Sequence, residues 1–146
     1  MESKAIDILL VEDNPFDAEL TLRALKEIKI LNHIQVLTDG EEAVNYLFGL
    51  GEYEGRDLSL NPKVIFLDLK LPKFDGLEVL KKVKSDARTK SVPIVIVTSS
   101  KEERDVVKSY KLGVNSYIVK PVDSNKFIES IKELGFYWLI LNQPPK

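Results

Sequence analysis

Cysteine is absent from the 146-residue chain, and histidine occurs once. The chain therefore has no disulfides and no thiolate metal site, and a single histidine excludes a His-rich zinc site. No apolar run approaches the roughly 18 residues of a membrane-spanning helix, and the first residues lack the features of a secretory signal. The formal net charge of -2 is unlike the concentrated basic charge of a nucleic-acid binder. We expect a soluble cytoplasmic protein without nucleic-acid or membrane partners.

Five short apolar segments alternate with five segments of helical period. With 146 residues and 44% hydrophobic side chains, the chain suits one domain with a real core, which we expect to span residues 1–146. Strands that alternate with helices predict an α/β fold, a parallel sheet with helices on both faces. The expected strands are 6–11, 34–37, 64–69, 92–97 and 116–119, and the expected helices are 16–28, 41–48, 76–86, 102–112 and a last one capped by Asp123 or Ser124.

Charged and hydroxyl side chains stand where four of the apolar segments end. Glu12 and Asp13 follow the first segment, Asp68 the third, Thr98 the fourth and Lys120 the fifth. Because the carboxyl ends of parallel strands share one edge of a sheet, we expect these side chains to meet there. Each alone is more simply a helix cap, a strand terminus or a surface lysine, but their combination on four segments favours a shared site.

The three acids of this edge favour a divalent cation. Crowded carboxylates are costly unless a cation neutralises them or a pKa rises. Oxygen ligands without cysteine or histidine indicate Mg²⁺, with Mn²⁺ as an alternative. A carboxylate is also a nucleophile toward phosphoryl donors, and a metal, a hydroxyl and a lysine stabilise the transferred group. The residues therefore predict phosphoryl transfer at a metal site, with Asp68 as the acceptor to test.

Four stretches closely resemble the receiver domain of bacterial two-component response regulators. They are ILLVEDN at 8–14, VIFLDLKLPKFDGLEVL at 64–80, PIVIVTSS at 93–100 and GVNSYIVKPVD at 113–123. The resemblance covers nearly the whole chain and implies a flavodoxin-like, doubly wound five-stranded sheet in the order 2-1-3-4-5. It implies a switch that accepts a phosphoryl group from the phosphohistidine of a sensor histidine kinase. Such a protein catalyses its own phosphorylation and dephosphorylation but is not a turnover enzyme.

The resemblance also implies a phosphoacceptor and a set of metal ligands. Asp68 corresponds to the phosphoacceptor, and Asp13 and Asp68 correspond to Mg²⁺ ligands. The backbone carbonyl of Lys70 would be the third protein ligand, and Glu12 would act through water. The ammonium group of Lys70 is expected either to lower the pKa of Asp68 electrostatically or to shield the acyl phosphate.

Four further positions match the switch of this family. Thr98 corresponds to the switch hydroxyl, Lys120 to the phosphoryl-binding lysine, Tyr117 to the switch aromatic residue and Pro121 to a cis-proline turn. In the family, the hydroxyl moves toward the phosphoryl group and the aromatic ring rotates inward. This change remodels the face formed by the fourth helix, the fifth strand and the fifth helix.

Several rival functions remain open at this point. The chain could serve as a phosphate shuttle or sink in a phosphorelay without its own output. An aspartate-nucleophile phosphohydrolase of the haloacid dehalogenase type expects a second acid at position 70, where this chain has Lys70. A flavin-binding flavodoxin-like protein expects a phosphate loop where Glu12 and Asp13 stand. A degenerate receiver would lack some of the site residues, all of which are present here.

Two regions extend beyond the motifs, a loop at 49–62 and a tail at 135–146. The loop is longer than most connections, and the chain ends without an output domain. Both features resemble a stand-alone subgroup of receivers, some of which serve phytochrome-like kinases. The apolar tail predicts either an extra strand or helical turn over the core, or a homodimer contact formed with the fourth helix, fifth strand and fifth helix. His33 is expected to lie away from the acidic edge.

Overall fold

The five apolar segments form one parallel sheet in the computed structural model, which describes residues 6–28, 33–121 and 123–142. The strands are β1 (Ile8–Val11), β2 (Ile34–Leu37), β3 (Val64–Leu67), β4 (Ile94–Thr98) and β5 (Ser116–Val119). The helices are α1 (Pro15–Glu27), α2 (Gly40–Phe48), α3 (Gly76–Ser85), α4 (Glu103–Lys111) and α5 (Ser124–Phe136). The sheet order is β2-β1-β3-β4-β5, so the predicted α/β fold and strand order are confirmed.

The three inner strands are apolar throughout because both of their faces are covered. Every residue of β1, β3 and β4 is buried, whereas the edge strands β2 and β5 are mostly half-buried. One core cluster packs α2 and α3 against one sheet face. The other packs α1 and α5 against the opposite face. Continuous apolar strands are the pattern expected for a parallel sheet between two helical layers.

Four of the five helices described, all but α4, begin at polar side chains that cap them. Asn14 accepts a hydrogen bond from the Asp17 backbone N–H, with Pro15 in the first turn of α1. Asp39, Asp75 and Asp123 cap α2, α3 and α5 in the same way. Such caps satisfy backbone donors that have no partner within the helix. Asp123, rather than Ser124, is therefore the cap of the last helix.

Three strands differ in their bounds from the sequence-based expectation. β1 begins at Ile8 instead of residue 6, β3 ends at Leu67 instead of residue 69, and β4 runs from Ile94 to Thr98 instead of from 92 to 97. Pro93 has no backbone N–H to donate, so the hydrogen-bonded ladder of β4 begins after it. The shift places Thr98 inside the strand, where it is fully buried.

The register of the ladder brings the strand ends level. Val11 pairs with both Leu37 and Leu67, and Thr98 pairs with Val119. Gly76 starts α3 directly against the backbone of the β3 end, where a Cβ atom would collide with the carbonyl oxygen of Asp68. The residues that follow β1, β3, β4 and β5 are thus held side by side.

Arg56 organises the long loop between α2 and β3. Its guanidinium donates from Nε to the carbonyl oxygen of Tyr46 at 2.6 Å, from Nη2 to that of Leu47 at 3.2 Å and from Nη1 to that of Leu60 at 3.0 Å. It also lies over the Tyr46 ring, 4.3 Å from the ring centroid. Carbonyls in the last turn of a helix have no intrahelical partner, so Arg56 caps α2 and ties the loop to it.

The tail continues α5 as a π-helical turn, Tyr137–Leu141. Trp138 and Leu139 pack against the core cluster beneath α1 and α5. Phe136, Tyr137 and Ile140 are about half exposed, at 47%, 48% and 49% of their surface. Of the predicted arrangements, the structure has the helical turn over the core, and it leaves an apolar outer face.

Within the part of the chain that the structure describes, no helix combines the length and the apolar character needed to cross a bilayer.

Replacing Arg56 tests whether it holds the loop. We expect Arg56→Ala to lower the free energy of unfolding by about 1–3 kcal/mol, because charged hydrogen bonds to three carbonyls are lost. Arg56→Lys should recover little, since an ammonium cannot reproduce the planar fork. Urea denaturation measures both. Arg104→Ala, which removes an exposed arginine paired only with Glu102 among the described residues, is the control, and an equal loss in the two alanine variants would contradict this role.

Candidate functional site

The side chains that follow the strands meet at the carboxyl edge of the sheet, as predicted. Asp68 is buried there and accepts three hydrogen bonds. Its Oδ1 accepts from the Thr98 hydroxyl at 2.8 Å and from the Lys70 backbone N–H at 3.1 Å. Its Oδ2 accepts from the Lys120 ammonium at 2.8 Å. The structure therefore brings Asp68, Thr98 and Lys120 into direct contact, from the ends of three strands.

Lys120 bridges three carboxylates. Its Nζ lies 2.7 Å from Glu12 Oε1, 2.8 Å from Asp17 Oδ2 and 2.8 Å from Asp68 Oδ2. An ammonium has three N–H donors, and these contacts use all of them. The side chains of Glu12 and Asp68 are 4% and 8% exposed, and that of Asp17 is 24% exposed. Lys120 is thus the cation that balances the acids in this arrangement.

Asp17 is a member of this site that the sequence reasoning missed. It lies in the first turn of α1, four residues after Asp13, and was considered only as part of a helix. A signal was available, because α1 starts at the carboxyl edge and acids in its first turn lie beside that edge. Acidic residues there also interact favourably with the helix dipole, so the stability of the helix alone already explains an acid at this position.

Burial and Lys120 act in opposite directions on the two buried acids. Burial raises the pKa of Glu12 to about 7, with Asp68 adding to the effect and Lys120 opposing it. Burial would also raise the pKa of Asp68, but hydrogen bonds from Lys120, Thr98 and the Lys70 backbone N–H bring it below the usual value. Burial opposes the charge of Lys120, yet its three carboxylates raise its pKa. Asp68 is therefore an ionised nucleophile at neutral pH.

The expected effect of the Lys70 ammonium on Asp68 needs a correction. Lys70 contributes to the lowered pKa of Asp68 through its backbone N–H, and this contribution is smaller than those of Lys120 and Thr98. The side chain of Lys70 is exposed, and solvent screens exposed charges strongly. The backbone turn that presents this N–H therefore affects the Asp68 carboxylate more than the side chain at position 70 does.

The acids fit a divalent cation. Carboxylate oxygens of Glu12, Asp13 and Asp68 lie within 4.8 Å of one another. Asp13 is exposed, and among the described residues its carboxylate accepts no hydrogen bond. Three hard oxygen donors, one of them open to solvent, match the habit of Mg²⁺, which uses few carboxylates and keeps several waters. The Lys70 carbonyl as a further ligand stays a prediction.

Thr98 is linked to Tyr117 through Ser100. The backbone N–H of Ser100 donates to Thr98 Oγ1 at 3.4 Å, and the Tyr117 hydroxyl donates to the Ser100 carbonyl oxygen at 3.0 Å. The Ser100 hydroxyl donates to Asp105 Oδ2 at 2.6 Å, in the first turn of α4. Asp105 also escaped the sequence reasoning, since nothing in helical period distinguishes it. The hydroxyl next to Asp68 is therefore joined to both β5 and α4.

The expectation of a cis-proline turn at Pro121 is wrong for this structure. The described residues contain no cis peptide bond, so Pro121 follows Lys120 through a trans bond. The trans form of an X–Pro bond is intrinsically favoured by about 0.5–1 kcal/mol, and the sequence alone does not fix the isomer. His33 is exposed at the opposite end of the sheet, before β2, as expected.

Comparisons with known proteins agree with this geometry. The model of the response regulator receiver domain matches residues 8–132. The probable methanogenesis regulatory protein FilR2 of Methanothrix harundinacea is 40% identical over 138 residues, which cover 94% of this chain and 86% of that protein. The response regulator Rcp1 of Synechocystis is 39% identical over 132 residues, covering 90% and 88%.

Two solved structures extend the comparison. The Mn²⁺-bound form of Rcp1 has a TM-score of 0.88 at 37% identity and covers 95% of this chain and 98% of that chain. The bacteriophytochrome response regulator RtBRR is 51% identical, with a TM-score of 0.76, and covers 97% of this chain and 85% of that chain. The Rcp1 structure is an Mn²⁺-bound form, which agrees with divalent-cation binding in this family. The chain belongs to the response regulator receiver domain family.

Proposed function

We propose that Asp68 is the phosphoacceptor of this response regulator and receives a phosphoryl group from the phosphohistidine of a sensor kinase. Phosphotransfer from sensor kinases is the general activity of receiver domains. The observation that carries the assignment is the environment of Asp68, a buried ionised carboxylate in contact with Thr98 and Lys120 and beside Glu12 and Asp13. The protein acts as a switch, not as a turnover enzyme.

The chemistry follows from the donors around Asp68. One Asp68 oxygen forms the new P–O bond as the P–N bond of phosphohistidine breaks, and the electron pair returns to the imidazole nitrogen. Lys120 stabilises negative charge on the transferred group as a point charge, and the Thr98 hydroxyl turns from Asp68 Oδ1 to a phosphoryl oxygen. A divalent cation, Mg²⁺ or Mn²⁺, when held by Glu12, Asp13 and Asp68, supplies further charge neutralisation.

The same movement gives the switch. Thr98 has one hydroxyl proton to donate, so it leaves Asp68 Oδ1 when it binds the phosphoryl group. The Ser100 N–H that now bonds to Thr98 and the Ser100 carbonyl that holds Tyr117 follow this change. Tyr117 on β5 and Asp105 on α4 lie on the face that would then change. This is a two-state element biased by one new charge-assisted contact.

The kinase partner is proposed to be phytochrome-like. RtBRR, at 51% identity, is a bacteriophytochrome response regulator. FilR2, at 40% identity, is named as a regulator of methanogenesis. The higher identity supports the phytochrome-type partner over a methanogenesis system.

The chain is further proposed to form a homodimer through α4, β5, α5 and the tail. Val107 and Tyr110 on α4 are 44% and 52% exposed, and the outer face of the tail is equally apolar. A groove of about 650 Å³ lies nearby and is lined by Leu112 and Gly113, which follow α4, and by Trp138 of the tail. Apolar and aromatic surface of this kind is typical of protein interfaces.

The phosphoacceptor assignment predicts a single covalent adduct. With acetyl phosphate and Mg²⁺, the wild-type chain should gain the mass of one phosphoryl group, and Asp68→Asn should gain none because the nucleophile is lost. Intact-mass spectrometry measures the adduct, and a chelator should abolish it. Asp57→Asn, an exposed acid in the loop after α2, should keep the wild-type adduct. An equal adduct on Asp68→Asn would exclude this acceptor.

The pKa of Glu12 predicts how stability depends on pH in the metal-free protein. The folded chain keeps the Glu12 proton up to about pH 7, whereas the ordinary pKa is 4.5. Between these values the unfolded state binds fewer protons, so the free energy of unfolding falls as the pH rises. Relative to Glu12→Gln, the wild type should lose about 1–3 kcal/mol between roughly pH 5 and pH 8.

Urea denaturation in the presence of a chelator measures this difference. Glu19→Gln, an exposed acid on α1, should follow the wild-type pH profile. Superimposable profiles of the wild type and Glu12→Gln would show that burial does not hold a proton on Glu12.

The dimer predicts that one charge in the tail separates the protomers. Ile140→Glu should weaken association at least roughly tenfold, because an unpaired charge is costly in an apolar contact. It leaves Trp138 and Leu139 in place on the core, which a truncation would remove. Sedimentation measures the mass distribution, with Leu50→Glu, at an exposed apolar side chain after α2, as the control. Retention of the wild-type distribution by Ile140→Glu would rule out the tail as an interface.

A further inference from the structure

Asp17 is the partner of Lys120 that belongs to neither the nucleophile nor the cation-binding acids. Its Oδ2 lies 2.8 Å from Lys120 Nζ, while the close acidic set consists of Glu12, Asp13 and Asp68. We propose that Asp17 is a positioning residue for phosphoryl transfer. It keeps the Lys120 ammonium at the site when Glu12 and Asp68 turn to the cation and the phosphoryl group. The inference deepens, and rests on, the proposed phosphorylation of Asp68.

Lys120 would lose two of its three charged partners in the proposed reaction. All three of its donors are used by Glu12, Asp17 and Asp68. Glu12 and Asp68 are the acids that a divalent cation would share with Lys120. Asp68 would also lose its carboxylate charge when one of its oxygens bonds to phosphorus. Asp17 alone keeps its full charge and its freedom to pair. Lys120 thus retains one charged partner throughout the reaction, and that partner is on α1.

Two hydrogen bonds hold the backbone of Asp17 in the first turn of α1. Its backbone N–H donates to the Asn14 cap at 3.0 Å, and its carbonyl oxygen accepts from the Thr21 hydroxyl at 2.8 Å. Thr21 is a buried residue of α1, and α1 packs on α5. The carboxylate therefore extends from a helical turn fixed at both ends. A flexible lysine side chain is restrained most effectively by such a fixed partner, since positioning reduces the entropy that the reaction must overcome.

The positioning role of Asp17 differs from two simpler roles that an acid can have at this place. An acid in the first turn of a helix stabilises the helix through its dipole, and any acid near the site strengthens the field that attracts a cation. Neither role requires contact with Lys120. A positioning role does, so the effect of removing Asp17 must disappear when Lys120 is removed.

The experiment compares initial rates of phosphorylation by acetyl phosphate at saturating Mg²⁺, read by intact mass. Asp17→Asn should be slower than wild type by roughly 3–10-fold, the scale of one ordinary hydrogen bond, because the amide oxygen can still accept from Lys120 while the charge is lost. Asp17→Glu should recover part of the rate. Glu19→Gln removes the same charge from an exposed position of the same helix and should match wild type. In a Lys120→Gln background, Asp17→Asn should change the rate by less than about twofold.

A spectroscopic readout covers the case in which the Lys120 variant is too slow to measure. In the Mg²⁺-loaded wild type, the ¹⁵N-labelled Nζ group of Lys120 should give a resolved ammonium signal, because a held ion pair slows proton exchange with water. The signal should be lost in Asp17→Asn and kept in Glu19→Gln. Its persistence in Asp17→Asn would overturn the positioning role.

Other outcomes would also overturn the positioning role of Asp17 or the proposed function. Equal rates for Asp17→Asn and Glu19→Gln, or equal slowing by Asp17→Asn with and without Lys120, would overturn the inference while leaving the phosphorylation of Asp68 intact. A wild-type chain that acquires no adduct would overturn the proposed function itself, and this inference with it.

Discussion

The contact of one lysine with three carboxylates is the interaction on which the rest of this site depends. Glu12 and Asp68 are almost fully buried and lie together at the sheet edge. Two carboxylates in that position are unfavourable unless a cation accompanies them, and Lys120 is that cation here. Its effect differs between the two acids, because it keeps Asp68 ionised while burial still holds a proton on Glu12.

This contact also explains why the sheet order matters. Lys120 follows the edge strand β5, whereas Glu12 follows β1, and β3 and β4 lie between them. The ammonium crosses the carboxyl edge to reach Glu12 and the first turn of α1. A change at Asp68 is therefore felt by an edge strand that carries Tyr117 and by a helix that packs on α5. The attachment of the lysine to β5 supports the proposed switch through α4, β5 and α5.

Sequence reasoning predicted the parts of this arrangement that depend on periodicity and strand ends. Alternating apolar runs give the strands, and the shared direction of parallel strands gives the convergence of Asp68, Thr98 and Lys120. The order of the strands came from resemblance, because spacing does not distinguish one doubly wound order from another. Asp17 was missed because its side chain reaches the site from a helix whose own stability already accounts for an acid there.

Other features depend on long-range contacts that a local pattern does not encode. In the sequence, Arg56 is one of several charged residues in a loop. Only the folded chain shows that its guanidinium donates to the carbonyl oxygens of two residues in α2 and one in the loop. The isomer of the bond before Pro121 is decided by a small energy difference, so a motif match did not determine it. The hydrogen bond from Ser100 to Asp105 depends on the placement of α4, which no local pattern gives.

The charge balance of the site indicates why a cation and a phosphoryl group act together. With Glu12 ionised, the site holds four carboxylates and one ammonium; Glu12, Asp17 and Asp68 contact the ammonium, and Asp13 lies beside Glu12 and Asp68. Three negative charges then remain, which favours a divalent cation and repels an anionic phosphoryl donor. A bound cation leaves only one, which lowers the repulsion that the donor meets. In the proposed reaction, the P–O bond of the acyl phosphate removes the carboxylate charge of Asp68 and brings phosphoryl oxygens within reach of Lys120. The acids that make metal-free phosphorylation unfavourable are thus the ones that make the metal-bound reaction favourable, and Lys120 provides the positive charge common to both states.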